Sequence, residues 1–235
     1  MKKYWTEEKK EELWKFWNDN VPVKSLAQKY ECSLSAIRHI IIKIKKERNL
    51  NVVHHPREKE KQVREILKGQ DNLRILECFS GQGNLTKIYK TYGSVITIDN
   101  HFETKKRQHY LNDSFKTVHK LIYDGEIFNV IDIDSYGFPS RHFPHIFQLI
   151  KEGFLFVTFP DPNIKNKITQ QHLQLYWGTD KPEKEDIIDR IITYGKMYYR
   201  DVKLIDVKKF DRITRFVFKV DKVSSLEMVG LTVNK

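Results

Sequence analysis

The pattern of apolar and polar residues changes once along the chain, near residue 70. Before that point, apolar side chains recur at intervals of three and four, the spacing of a helix with one buried face. Beyond it, short apolar runs alternate with amphipathic segments, as in a parallel sheet covered by helices. The pattern therefore predicts a small helical part followed by a larger α/β domain.

The N-terminal part is predicted to contain three helices. Thr6 suits the N-cap of the first, and the polar stretch 18–22 with its proline ends it. A second helix is expected over 23–30, and Ser33 is expected to cap a third. The third helix places an apolar stripe inward, formed by Leu34, Ile37, Ile40, Ile41 and Ile44.

Residues 26–40 resemble the helix-turn-helix of many bacterial DNA-binding proteins. That resemblance implies that the third helix enters the major groove of DNA. The candidate nucleic-acid-binding residues on its outer face are Ser35, Arg38, His39, Lys43 and Lys46. Glu31 stands where a glycine is common, and a left-handed conformation costs such a residue about 1 kcal/mol, so we expect a reshaped turn. A protein-binding module or a merely solvated basic face is the alternative.

A glycine-rich turn follows the first predicted strand of the α/β part. The strand covers 73–77, the turn 80–84 and the next helix 85–92, and a second strand over 94–98 ends at Asp99. This unit resembles a dinucleotide-binding motif, but Thr86 occupies the position of the third glycine. The fingerprint for a nicotinamide dinucleotide is therefore incomplete.

Residues 77–86 resemble motif I of the class I S-adenosylmethionine-dependent methyltransferases, an acid and an apolar pair followed by G-x-G. The resemblance implies that Glu77 lies near the amino group of the cofactor and that Asp99 holds its ribose. It also implies that Asp113, after the next short strand, contacts the adenine. The implied cofactor-binding residues are Glu77, Phe79, Gly81, Gly83, Asp99 and Asp113. An ordinary strand-to-helix turn with a capping acid is the alternative.

Further strands are predicted over 128–133, 153–159, 202–207 and 214–220. They complete the seven-stranded Rossmann-like sheet that the resemblance implies, mostly parallel and closed by an antiparallel hairpin. The expected organisation is a helix-turn-helix domain over 1–50, a linker over 51–56, a methyltransferase domain over 57–222 and a C-terminal tail over 223–235.

The segment after the fourth strand carries the candidate acceptor site, because open α/β sheets bind ligands beyond the carboxyl ends of their strands. Asp134 and Tyr136 lie there as candidate catalytic residues. The stretch 134–139 resembles the D-P-Y-G motif of the tRNA guanosine N2-dimethyltransferases, although Ser135 replaces the proline. It resembles more distantly the D-P-P-Y motif of one class of DNA amino-methyltransferases. A core aromatic at a strand end is the alternative for Tyr136. Tyr176 and Trp177 are further candidates for stacking on a base, and packing is equally compatible with these two rings.

Charge and composition indicate which classes of binding partner the chain could have. The net charge is +11, and residues 1–70 hold 17 Lys and Arg against 10 Asp and Glu, so the positive charge concentrates in the N-terminal part and favours a nucleic-acid partner. Two cysteines in different parts suggest neither a disulfide framework nor a zinc site, and no metal is expected. The same cysteine usage fits a reducing, intracellular setting, so a cytoplasmic protein is expected. No apolar run approaches the roughly 20 residues that span a bilayer, so no membrane span is expected.

These observations favour an S-adenosylmethionine-dependent N-methyltransferase that modifies an exocyclic base amine, with DNA slightly favoured over tRNA or other RNA. A DNA-binding regulator that senses S-adenosylmethionine, or does not use it, is the alternative, although the intact acids Glu77, Asp99 and Asp134 argue against an inactive enzyme. Methylation of a small molecule is disfavoured by the basic N-terminal part.

Overall fold

The computed structural model describes residues 5–19, 21–47, 55–81, 83–100, 110–135, 137–160, 167–210 and 213–223. The chain divides into two compact units, Met1–His55 and Pro56–Lys235. Most of the predicted linker over 51–56 and of the predicted tail over 223–235 lies outside the described residues.

The first unit contains α1 (Glu7–Asn18), α2 (Val23–Lys29) and α3 (Leu34–Glu47). The hydroxyl of Thr6 caps α1 by accepting a hydrogen bond from the Lys9 N–H. The core that the three helices share consists of Leu13, Leu26, Ala27, Tyr30, Ile37, Ile41 and Ile44. The inward position predicted for Leu34 is wrong: this side chain is 43% exposed, because it begins α3 a turn before the buried stripe.

The turn between α2 and α3 contains a left-handed residue, although the residue at that position is a glutamate and not a glycine. Glu31 has a φ of +49°, so the prediction of a reshaped turn is wrong. Two backbone hydrogen bonds hold it: the N–H of Glu31 donates to the carbonyl of Gln28, and that of Cys32 donates to the carbonyl of Ala27, at 3.2 and 3.0 Å. These bonds and the packing of the flanking helices offset the backbone strain.

The second unit is built on a sheet in the order β3-β2-β1-β4-β5-β7-β6. Its strands are β1 (Leu73–Cys78), β2 (Gly93–Asp99), β3 (Tyr110–Leu111), β4 (Phe128–Ile133), β5 (Ile150–Pro160), β6 (Arg200–Phe210) and β7 (Ile213–Lys222). The first five strands run parallel, and β7 is antiparallel to both β5 and β6. The predicted mostly parallel sheet with a closing antiparallel hairpin is confirmed, although β3 contributes only two residues.

Helices cover both faces of this sheet. One face packs against α4 (Pro56–Ile66) and α5 (Asn84–Tyr89). The other packs against α6 (Ser114–Tyr123), α7 (Phe143–Ile146), α8 (Lys167–Trp177) and α9 (Lys184–Lys196). Because side chains alternate along a strand, Val130 and Asp132 of β4 face the α4 side, while Ile131 and Ile133 face the α6 side. None of the helices described is both long and apolar enough to cross a membrane.

The packing interpretation holds for Trp177, which is only 4% exposed and lies in the core against Phe143 and Phe159. Its indole N–H donates to the hydroxyl of Ser140 at 2.7 Å. The suggestion that this ring stacks on a bound base is therefore wrong, because the ring is buried in the core and its polar atom is already hydrogen-bonded.

Candidate active site at the carboxyl ends of the strands

The glycine-rich loop after β1 has an unusual backbone. Phe79, Gly81 and Gly83 have φ values of +64°, +51° and +71°. Glycine adopts this region freely, whereas Phe79 does so at a cost of about 1 kcal/mol. The N–H of Phe79 donates to the carbonyl of Ile98 in β2 at 2.8 Å, which holds it there. Backbone strain of this kind concentrates at ligand-binding loops, which makes this loop a candidate site.

Asp99, at the end of β2, ties the loop to the neighbouring strand. Its carboxylate is buried, and Oδ2 accepts a hydrogen bond from the N–H of Gly81 at 2.8 Å. Two residues that the sequence predicted for one site are therefore in direct contact.

Glu77 lies beneath the same loop with only 2% of its surface exposed. The hydroxyl of Thr86 donates to Glu77 Oε2 at 2.5 Å, so the residue that replaces the third glycine links α5 to β1. Burial raises the pKa of Glu77 to about 8, and the Thr86 hydrogen bond only partly opposes this. Glu77 is therefore largely protonated at neutral pH.

Asp113 performs a structural task at the start of α6. Its side chain caps that helix by accepting a hydrogen bond from the Lys116 N–H at 3.0 Å. The carboxylate is half-buried, so it keeps some contact with solvent. The capping bond neither requires nor excludes the adenine contact implied by the family resemblance.

Asp134 follows β4, and its backbone N–H donates to the carbonyl of Cys78 at 3.4 Å. This bond places it beside the end of β1, where the glycine-rich loop begins. Both of its carboxylate oxygens accept hydrogen bonds from the ammonium group of Lys59, at 2.7 Å each. Burial alone would raise the pKa of Asp134, but the charge and hydrogen bonds of Lys59 hold it below its usual value. Asp134 is therefore an anion at neutral pH.

A second ion pair, which the sequence reasoning missed, lies deeper in the same region. Arg215 of β7 and Asp132 of β4 are completely buried and 2.7 Å apart. Tyr89 donates to the same oxygen of Asp132, and Arg215 also donates to the hydroxyl of Thr158. Among the described residues, neither Asp132 Oδ1 nor the Nε of Arg215 has a hydrogen-bond partner. The available signals were Asp132 within the largely apolar run of β4 and Arg215 beside the apolar stretch 216–218 of β7.

These groups form a charge-balanced cluster on the α4 side of the sheet. The cations Lys59 and Arg215 pair with the anions Asp134 and Asp132, and Glu77 is neutral when protonated. Glu77 and Asp132 stand side by side in the register of β1 and β4. Balance of this kind is what makes the burial of several charges tolerable.

His142 supports the loop from the other side. Its ring lies 5.5 Å from that of Phe79, and its Nε2 is 3.0 Å from the hydroxyl of Ser114. Burial lowers the pKa of His142 to about 4, so the imidazole is neutral near pH 7. Its contacts are those of a buried packing residue.

The structure describes most of the remaining predicted site residues, but not all of them. Ser35, Arg38, His39 and Lys43 are exposed on α3, whereas the side chain of Lys46 is outside the described residues, as is Tyr136. Within the described ranges, no group of three or more His, Cys, Asp or Glu side chains could hold a metal ion.

No protein-family model matches the chain, and no curated protein sequence matches it. Among solved structures it is similar to Trm1 from Pyrococcus horikoshii in complex with S-adenosyl-L-methionine, with 16% identity over 72% of this chain and a TM-score of 0.55. A SAM-dependent methyltransferase from Archaeoglobus fulgidus matches 70% of this chain and 94% of its own, with 14% identity and a TM-score of 0.44.

The chain spans about half the length of the first structures that it matches, 56% of Trm1 and 48% of a Streptococcus mutans protein. At these identities the likeness concerns the fold alone. The second unit thus has the class I fold of the S-adenosylmethionine-dependent methyltransferases.

Proposed function

We propose that this chain is an S-adenosylmethionine-dependent methyltransferase that modifies an exocyclic amino group of a nucleic-acid base. The observation that carries the proposal is the position of Asp134. This ionised carboxylate lies beyond β4, next to the end of β1, and a fifth of its side-chain surface is exposed. It can therefore accept a hydrogen bond from a group that approaches the strained loop.

The loop and its neighbours suit the proposed cofactor. Glu77, Phe79, Gly81, Gly83 and Asp99 would hold it, with Asp113 as a further contact. Two of the three left-handed residues, Gly81 and Gly83, have no side chain. A Cβ added to Gly81 would meet nothing closer than 3.9 Å, so the space beside this residue is open. Trm1, with which the second unit shares its fold, was solved with S-adenosyl-L-methionine. The cofactor supplies an electrophilic methyl group when it is bound.

Asp134 would act on the methyl acceptor. The lone pair of an exocyclic amine is conjugated with its ring, which makes the amine a weak nucleophile. A fixed carboxylate that accepts an N–H hydrogen bond orients the amine and stabilises the positive charge that develops on nitrogen. Tyr136, two residues further on, is proposed to stack on the base.

The nucleic-acid substrate is supported by the first unit. Arg38 and Lys43 are exposed on α3, whereas Ile37 and Ile41 of the same helix are buried, as expected of a helix with a basic outer surface. The helix-turn-helix resemblance of this unit favours DNA slightly, whereas the resemblance of residues 134–139 favours a guanine of tRNA.

The decisive experiment measures transfer of a labelled methyl group from S-adenosylmethionine to tRNA and, separately, to DNA, both from cells that lack the gene. Asp134→Ala is expected to lower turnover by about two to three powers of ten while leaving cofactor affinity nearly unchanged. Asp99→Ala should instead weaken cofactor binding strongly.

Asp71→Asn, at an exposed carboxylate ahead of β1, is the control and should leave both quantities unaltered. Unaltered transfer by Asp134→Ala would move the acceptor site elsewhere. Binding of S-adenosylmethionine and DNA without transfer to either nucleic acid would favour the sensing regulator.

A further inference from the structure

Lys59 occupies a helix position that the sequence pattern assigns to the core. It precedes Val63 and Leu67 by one and two turns of α4, and both of these side chains are completely buried. Lys59 itself is only 2% exposed. A lysine with its ammonium group removed from water is costly unless it is paired, and the partner here is Asp134.

The contact between the two groups is one-sided. Lys59 donates to both oxygens of Asp134 at 2.7 Å, and it approaches from the interior because its own side chain is buried. Asp134 retains 20% exposure of its side chain. The two carboxylate oxygens have four lone pairs between them. The Lys59 ammonium group engages two of these and the hydroxyl of Thr158 a third, which leaves one for a further donor.

We propose that Lys59 is a positioning residue that holds the Asp134 carboxylate from its buried side, fixed in orientation and ionised, so that its exposed side accepts the N–H of the amine to be methylated. This inference rests on the function proposed above and extends it to a residue of α4. The positive charge of the Lys59 ammonium group offsets the negative charge of Asp134. Asp134 therefore attracts a second cation only weakly but still accepts a hydrogen bond, which suits a neutral amine.

The other charged groups around Asp134 act together with Lys59. Among the described residues, Arg215 on β7 also favours the anion, whereas Asp132 on β4 and Glu77 on β1 are acidic groups near the same cluster. Arg215 is already paired with Asp132. Lys59 is therefore the cation that contacts Asp134 directly, and its removal leaves the carboxylate with the Thr158 hydrogen bond but without a paired charge.

The test compares Lys59→Met with the wild-type chain in two measurements. One is the pH profile of methyl transfer from labelled S-adenosylmethionine to a pool of tRNA and sheared DNA from cells lacking the gene. The other is the titration of the Asp134 carboxyl group, followed by carbon-13 NMR and assigned with Asp134→Asn. In Lys59→Met the acid limb and the carboxyl titration should both move up by at least one pH unit. One pH unit below the variant's midpoint, its transfer should then be about tenfold lower than at pH 8.5, whereas the wild type should keep at least half of its rate at that pH.

The matched control is Lys61→Met, which removes a 76%-exposed lysine from the same helix and should keep the wild-type profile. Lys59→Arg retains the charge and should keep the acid limb in place even if its rate falls. Should Lys59→Met fail to fold, Lys59→Gln removes the charge while keeping a polar side chain, and the same comparison applies.

A Lys59→Met or Lys59→Gln chain with the wild-type pH profile and the wild-type Asp134 titration overturns the inference. Absence of methyl transfer from the wild-type chain to either nucleic acid would refute the proposed function instead. The carboxyl titration would then still decide whether Lys59 controls the ionisation of Asp134.

Discussion

Ionisation of the buried Glu77 carboxyl group destabilises the folded chain. Its pKa is about 8 in the folded chain, because burial disfavours the anion, against an ordinary value of 4.5. Between these two values the folded chain holds a proton that the unfolded chain releases. The free energy of unfolding therefore decreases as the pH rises through this window.

Glu77→Gln should remove that loss of stability, because the amide is neutral at every pH and can still accept the Thr86 hydrogen bond. Relative to the wild type, the variant should gain about 2 to 4 kcal/mol of stability between pH 5 and pH 9, measured by chemical denaturation at both values. Glu152→Gln, at an exposed position in β5, should show no such gain. Equal pH dependence in wild type and Glu77→Gln would mean that Glu77 is ionised in the folded chain.

For single residues, the sequence identified the acids at the ends of strands but not the cations with which the buried acids pair. Asp99 and Asp134 were recognisable because acids that follow apolar runs lie at the carboxyl edge of a parallel sheet. Lys59 was hidden in a highly charged helix, and Arg215 in a strand of the hairpin. Their pairing with Asp134 and Asp132 joins positions 75 and 83 residues apart, which no local pattern encodes.

Among the elements, the α2–α3 turn offers a direct test of stored strain. Glu31 has a φ of +49° that glycine adopts at little cost. Glu31→Gly should stabilise the first unit by about 0.5 to 1 kcal/mol, the relief of strain minus the greater freedom of glycine in the unfolded chain. Amide hydrogen exchange in α2 and α3 of the full chain measures the change.

Gln28→Gly is the opposite-sign control, because Gln28 is exposed within α2 and a helical glycine there should cost about 1 kcal/mol. Faster exchange in Glu31→Gly would show that the glutamate side chain makes a favourable contribution larger than the strain.

The ends of the elements show where the sequence pattern stops being informative. β4 has the predicted bounds, and β1 differs from its prediction by one residue, because both are short buried runs. β5 begins three residues before its prediction, since the exposed Lys151 and Glu152 conceal its start. Ile150 pairs with Phe128 and Phe154 pairs with Val130, so the two charged residues lie in a register shift between paired positions.

For the whole molecule, the charge distribution predicts that nucleic-acid affinity depends on α3. Replacing Arg38 and Lys43 by alanine in the full chain should lower the slope of log affinity against log salt concentration by about 2, one for each phosphate that is no longer neutralised. Fluorescence anisotropy with labelled duplex DNA at several salt concentrations measures the slope.

Replacing Lys15 and Lys61, two exposed lysines outside α3, removes the same charge and should change the slope less. Equal slopes for the two double variants would indicate that only net charge matters and that α3 is not a specific binding surface.

The indole of Trp177, which donates a hydrogen bond to Ser140, can serve as an intrinsic fluorescent probe of the second unit. The other three tryptophans, Trp5, Trp14 and Trp17, precede residue 56, so Trp177 is the sole indole between residues 56 and 235. Replacing those three by phenylalanine would leave an emission spectrum that reports on one buried ring, bonded to the segment that follows Asp134. If a base binds beside Asp134 as proposed, movement of that segment would be visible as a shift in fluorescence, without an attached dye.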